Sequence, residues 1–194
     1  MGKRLVMLLM ALLILYTVSA FATEEEPAEL TNRKQNVVFL QIGNYATVSD
    51  GTLTWVDRDN KNVIPYIKDS RTMVPLRFLA EEMGATVGYD EQTRGITITL
   101  NGTVMELWAD RADYFINGEA RVMDCATEIL EGRTFVPVRF VSESLGKAVE
   151  WLNEERIVVV TPADSPWQRE NPAEKAVLAE VRLSLSPLGR DKIR

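Results

Sequence analysis

Two arginine–glutamate pairs stand four residues apart, Arg77 with Glu81 and Arg139 with Glu143. On a helix that spacing gives an edge ion pair worth about 0.2–0.5 kcal/mol. The same residues also form a candidate clamp, because a planar guanidinium offers a fork of donors to an anionic group. A second set is aromatic: Trp55, Trp108, Trp151, Trp167 and Tyr89, whose rings stack on sugars when they face solvent. Tyr89 and Trp151 lie in alternating β patterns and are expected to face a core. Trp55 and Trp108 are left as the candidates for an exposed ligand platform. Asp57, Asp59, Asn60 and Asn62 open like a calcium loop, but Lys61 and Lys68 stand where the fifth and twelfth positions need ligands. No specific calcium site is expected there. Glu81-Glu82 and Glu154-Glu155 read as solvated helix and turn positions, with no context that divides them into an acid and a base. There is no nucleophile elbow, phosphate loop or metal motif. The chemistry expected is therefore binding, with no catalytic residue, no metal and no cofactor.

Composition points the same way. The chain has 194 residues, 46% of them apolar and 26% charged, which is ordinary globular usage. It has no histidine, one cysteine and a formal net charge of −6. Lacking histidine, it can hold no histidine-based triad and no histidine-ligated zinc or copper. A single cysteine excludes an intrachain disulfide. The acidic balance disfavours nucleic acid as a partner. Cys125, between Asp124 and Glu128, reads as a small buried residue, its neighbours raising the thiol pKa.

The elements that must position these residues begin after an address. Lys3 and Arg4 precede an apolar run from Leu5 to Val18, followed by Ala20 and Ala22. This is the pattern of a secretory signal peptide over residues 1–22, cleaved after Ala22 or else after Ala20. The alternative is retention as an anchor, although the run falls short of the ~20 residues that span a bilayer. Cleavage removes two positive charges and takes the net charge from −6 to −8. Residues 23–36 read as an acidic, polar linker.

The body of the chain contains one pattern twice. Residues 71–83 read RTMVPLRFLAEEM and residues 133–145 read RTFVPVRFVSESL, each followed by glycine, at an offset of 62. From Arg71–Ile98 against Arg133–Val160, ten of 28 positions are identical without a gap. The upstream stretches align at an offset of 67, Gly51 with Gly118, so the first copy carries five extra residues, placed near Asp57–Asn62. In each copy a proline, Pro75 or Pro137, is expected at the first helical position. Leu76, Leu79, Ala80 and Met83 then make one apolar face, matched by Val138, Val141, Ser142 and Leu145. Gly84 and Gly146 end the helices in left-handed caps. Alternating runs and the turn pairs Asp50-Gly51, Asn101-Gly102 and Asn117-Gly118 predict β-hairpins around them. The fold class expected is α+β: two tandem repeats of antiparallel strands with one short helix each, residues 37–100 and 101–161, plus a C-terminal helix.

With these residues in hand, the chain resembles the copper amine oxidase N-terminal-like, or stalk, domain. The likeness lies in Arg71-Thr72-x-Val-Pro75-x-Arg-Phe78, then Gly84, Val87, Tyr89-Asp90 and Arg94. It recurs in Arg133-Thr134-x-Val-Pro137-x-Arg-Phe140, Gly146, Val149, Trp151 and Arg156. Leu152 departs from the pattern where aspartate is usual, and Ser70 where glycine is usual. The resemblance implies an exported bacterial surface module. It does not imply oxidase chemistry, since the catalytic domain of those enzymes needs three histidines and a quinone formed from tyrosine. Within the motif the prolines, glycines, valines and phenylalanines read as structure.

Past residue 161 the prolines Pro162, Pro166 and Pro172 mark a linker. Asn171 then caps a helix starting at Pro172, with Glu174 in the capping-box position and Ala173, Val177 and Val181 as a stripe. Its expected end is at Ser184–Pro187, before a basic tail over residues 189–194. The function expected is an exported, non-catalytic binding or scaffolding module of the cell envelope, contacting a wall glycan or an envelope protein. Two alternatives are an envelope hydrolase or its helper, and an inhibitor or assembly factor that adds strands to a partner.

Overall fold

The computed structural model describes residues 28–186. The expected signal peptide, its cleavage site and the basic tail lie outside them. In chain order the elements are α1 (Ala28–Lys34), β1 (Val38–Gln41), β2 (Ala46–Ser49), β3 (Thr52–Trp55), β4 (Tyr66–Lys68), β5 (Arg71–Pro75) and α2 (Leu76–Glu82). There follow β6 (Thr86–Asp90), β7 (Gly95–Leu100), β8 (Thr103–Trp108), β9 (Asp113–Ile116), β10 (Glu119–Val122), β11 (Glu128–Leu130) and β12 (Arg133–Pro137). Then come α3 (Val138–Ser144), β13 (Lys147–Leu152), β14 (Ile157–Pro162) and α4 (Pro172–Leu185). This is a mixed α+β fold with antiparallel sheets.

Three sheets form. Five consecutive strands fold as a meander in the order β10-β9-β8-β7-β6. A second five-stranded sheet joins early and late chain in the order β13-β14-β1-β2-β3. A four-stranded sheet, β11-β12-β5-β4, carries the two Arg-Thr-x-Val-Pro segments side by side. In it Val74 faces Val136, Met73 faces Pro137 and Pro75 faces Phe135. Residues 62 apart therefore meet at the centre of this pair and exchange partners on either side of it.

The three expected hairpins are present. Asp50-Gly51, Asn101-Gly102 and Asn117-Gly118 all have positive φ at both residues, as a two-residue type I′ turn requires. Each short helix follows its strand without a break. Pro75 and Pro137 are not the first helical residues, as expected from sequence, but the last residues of β5 and β12. Their ψ of 121° and 122° is extended, because each still pairs across the four-stranded sheet. Helix α2 ends on Gly84 at φ 83°. There the Ala85 N–H donates to the Ala80 carbonyl and the Gly84 N–H to that of Glu81, each at 2.9 Å, which is the Schellman pattern.

The main core lies among all three sheets and both short helices, with Leu76, Leu79, Ala80, Val138 and Val141 buried in it. A second core covers the opposite face of the joined sheet. Phe39, Val48, Ile157 and Val159 pack there under Val177, Val181 and Leu185 of α4. Trp167 stands edge-on to Phe39 at 5.2 Å between centroids. So α4 is firmly docked. Its cap is as expected, the Asn171 side chain accepting the Ala173 N–H. Glu174 does not complete a capping box. It is 2% exposed, accepts the Gln168 N–H and bonds Arg33 of α1 at 3.1 Å. The segment read as a polar linker thus holds a helix, fixed by that ion pair and by Leu30, which packs on the second core.

Candidate functional site

The Arg-Thr motifs position the site. Arg71 of β5 reaches Asp124 with its Nε at 2.8 Å, and Arg133 of β12 reaches Asp57 at 2.5 Å. Each arginine thus grips a loop of the other half of the chain. Both aspartates lie six residues beyond a hairpin glycine, Gly51 or Gly118, so the sequence carried a signal for this pairing in the 67-residue offset. The two pairs are not equal. Asp57 Oδ1 also accepts the N–H groups of Asp59 and Asn60 at 2.9 and 3.0 Å. Burial pushes the Asp57 carboxyl up, but Arg133 and these two N–H groups outweigh it and hold the pKa below the ordinary value. Asp124 is held low chiefly by Arg71. Asp57, the first residue of the calcium-like stretch, is therefore committed to shaping a turn. Among the described residues no group of three or more His, Cys, Asp or Glu is placed to hold a metal ion.

The loop that Arg133 fixes forms one wall of an open cleft of about 600 Å³. The other walls come from α2, from β6 and from the β11–β12 turn. Trp55, Tyr89, Arg77 and Arg58 all line it, with Glu81, Glu82 and Asp59. Trp55 is 38% exposed and one face of its ring is backed by Tyr45, 5.4 Å away and inclined by 17°. Lys61 lies 5.1 Å from the Tyr45 ring centre and 5.5 Å from that of Trp55. Arg77 Nη1 stands 3.7 Å from Glu81 Oε1, an ion pair too long for a hydrogen bond.

The expected ligand residues are therefore divided. Trp55 and Arg77 share the cleft. Trp108 and Arg139 do not line it. Trp108 is half-buried on the outer face of the meander, opposite Gly95 and edge-on to Phe115 at 5.9 Å, with Arg111 4.9 Å from its ring centre. Arg139 is exposed on α3 and pairs loosely with Glu143 at 3.8 Å.

Tyr89 was expected in the core and is 44% exposed at the cleft. It sits near the end of an edge strand, two residues past Val87, which does pack on the core, so its ring extends beyond the core margin. Trp151 at the matching position is half-buried against that core. The other motif residues serve packing. Phe140 meets Tyr114 edge-on at 4.5 Å, Phe78 packs on the main core, and Thr72 and Thr134 pair with Ile67 and Ile129.

Under the four-stranded sheet Glu128 accepts hydrogen bonds from Tyr66 and Lys68. These hold its carboxyl low, Lys68 first, while burial and Glu128 push the Tyr66 phenol up. Cys125 is buried beside Met73, their sulfurs 4.0 Å apart. Burial is the first cause of its raised thiol pKa, ahead of the acidic neighbours expected from sequence.

Compared with known families, residues 55–160 match the copper amine oxidase N-terminal domain. No curated protein matches the chain.

Proposed function

The chain belongs to the copper amine oxidase N-terminal domain family, and from that premise we propose that it is an exported, non-catalytic binding module of the cell envelope. The family is that of the N-terminal domain and not of the oxidase's catalytic domain. One observation carries the binding reading: Trp55, Tyr89 and Arg77, drawn from three separate elements, converge on a single open cleft. Its carboxylates do not supply the buried acid that hydrolysis needs. Asp57 is held ionised by Arg133, and Asp59, Glu81 and Glu82 are exposed.

In this reading the chain is two tandem units joined about the Val74–Val136 pair, and the cleft contacts a wall glycan or an envelope protein. Export rests on the residue 1–22 pattern. Among the described residues no helix is long and apolar enough to cross a membrane.

The test is retention of the chain lacking residues 1–22 on isolated cell-wall sacculi, with and without their attached polymers, at two salt concentrations. Retention that survives salt and is lost with Trp55→Ala supports the reading. Release of all protein at higher salt would point to loose charge attraction and overturn it.

A further inference from the structure

Resting on that reading of the cleft, we infer that its ligand is an uncharged, polyhydroxylated saccharide chain. Three observations carry this.

The first is the aromatic pair. Trp55 and Tyr89 are both partly open to solvent and both border the cleft. Tyr45 stacks behind Trp55, so the ring is held in place before a ligand arrives. A sugar ring has an apolar C–H face and a polar hydroxyl rim, and a fixed, half-exposed aromatic ring suits that face. Ordering the ring in advance also reduces the entropic cost of binding.

The second is the supply of planar polar groups. Arg77 and Glu81 lie alongside one another at 3.7 Å without a hydrogen bond, so the guanidinium keeps its donors and the carboxylate its acceptors. Such fork-shaped groups match two adjacent hydroxyls, which both donate and accept.

The third is charge. Arg58, Arg77 and Arg133 are set among Asp57, Asp59, Glu81 and Glu82, and Arg133 is already committed to Asp57. A phosphate-bearing polymer entering here meets four carboxylates along with the three guanidiniums, and the whole chain adds a net charge of −6. A neutral ligand meets neither penalty. The volume of about 600 Å³ suits a short run of sugar rings and lies within the ~300–1,000 Å³ usual for small-ligand sites.

The same wall is missing from the other half of the chain. At the offset of 67, Val122 replaces Trp55 and Cys125 replaces Arg58. The aromatic wall thus belongs to the first copy, while the second lends the cleft Ile129, Gly132, Arg133 and Thr134.

The experiment is titration of the full chain with chitotetraose, cellotetraose and poly(glycerol phosphate), read by calorimetry and tryptophan fluorescence. Either tetrasaccharide binds, with little change between low and high salt, and the phosphate polymer does not. Trp55→Ala, Tyr89→Ala and Arg77→Ala each weaken saccharide binding by about tenfold or more, equivalent to ~1.4 kcal/mol. Val122→Ala leaves it unchanged. Circular dichroism checks the fold of each variant, and the exposed Arg77 keeps the test open should Trp55→Ala unfold.

If neither saccharide binds while sacculus retention still requires Trp55, the cleft serves a peptide or protein: the saccharide inference falls and the binding-module reading stands. If neither saccharide binds and retention ignores Trp55 and Arg77, both fall. Tight, salt-sensitive binding of the phosphate polymer overturns the saccharide inference on its own.

Discussion

The joined sheet and the meander have five strands each, yet they are built for different surroundings. At the joined sheet Val37, just ahead of β1, and Val38, Phe39 and Leu40 within it are all buried, as are Ile157, Val158, Val159 and Val160 of β14. In both runs the even-numbered residues face the main core and the odd-numbered ones face α4: Val38, Leu40, Val158 and Val160 join the first, Val37, Phe39, Ile157 and Val159 the second. In the meander Ile96, Ile98, Met105 and Leu107 are buried while Thr97, Thr99 and Glu106 between them are exposed. A continuous apolar run marks a strand covered twice, and strict alternation a strand covered once. The difference teaches that α4 and α1 are the second cover of one sheet, while the other presents its outer face to solvent.

Truncation of Phe39 breaks this comparison most sharply. It is fully buried against Trp167 in the second core, so Phe39→Ala costs about 3–5 kcal/mol. Phe115→Ala, on the half-open outer face of the meander, costs much less. Urea denaturation of the two variants measures both. Equal losses would mean that the outer face of the meander is covered in solution after all.

How much of this was legible beforehand follows from the range of each contact. Hairpins were legible because Asn-Gly and Asp-Gly fix two adjacent φ angles, and the helix ends because Gly84 and Asn171 act within a turn. The runs at Val37–Leu40 and Ile157–Val160 also stood in the sequence, as the sign of a doubly covered sheet, although nothing local says that β1 pairs with β14. Helix α1 was not legible: it has seven residues, too few to be stable alone, and is held by Arg33–Glu174 from far along the chain. The cleft was half legible. Residue type marks Trp55 and Arg77 as ligand candidates, but alternation puts Tyr89 on the core side, because it shows which face a residue takes and not where the core ends.

A second contrast is between the ion pairs that Arg133 and Arg71 make with Asp57 and Asp124. Asp57 is mostly enclosed and takes two backbone N–H groups as well as Arg133, whereas Asp124 is exposed. Asp57→Ala frees those donors and costs about 1–3 kcal/mol; Asp124→Ala costs less. The Asp57 pKa is lowered on folding, so as pH falls the unfolded chain takes up the proton first. Its contribution is complete above the ordinary value of 3.8 and fades as pH drops through the lower, folded value. Stability measured from pH 6 to pH 2 therefore falls less steeply in Asp57→Ala than in the parent chain. An unchanged acid limb would show that Asp57 is not strengthened by folding.

The smallest effect sharpens the comparison of the two short helices. At matched positions α2 carries Ala80 and α3 carries Ser142, both fully buried. Among the described residues the Ser142 hydroxyl has no hydrogen-bond partner. A buried hydroxyl that gives up water without a new partner is a net cost, and Ala80 shows that the methyl side chain suits this kind of site. Alanine also has the higher helix propensity. Ser142→Ala is thus expected to stabilise the chain by up to about 1 kcal/mol, raising the urea midpoint with the slope unchanged. The reverse change, Ala80→Ser, moves the midpoint down by a similar amount. If Ser142→Ala instead destabilises, the hydroxyl has a partner in solution, and the two helices differ in their surroundings as well as in one side chain.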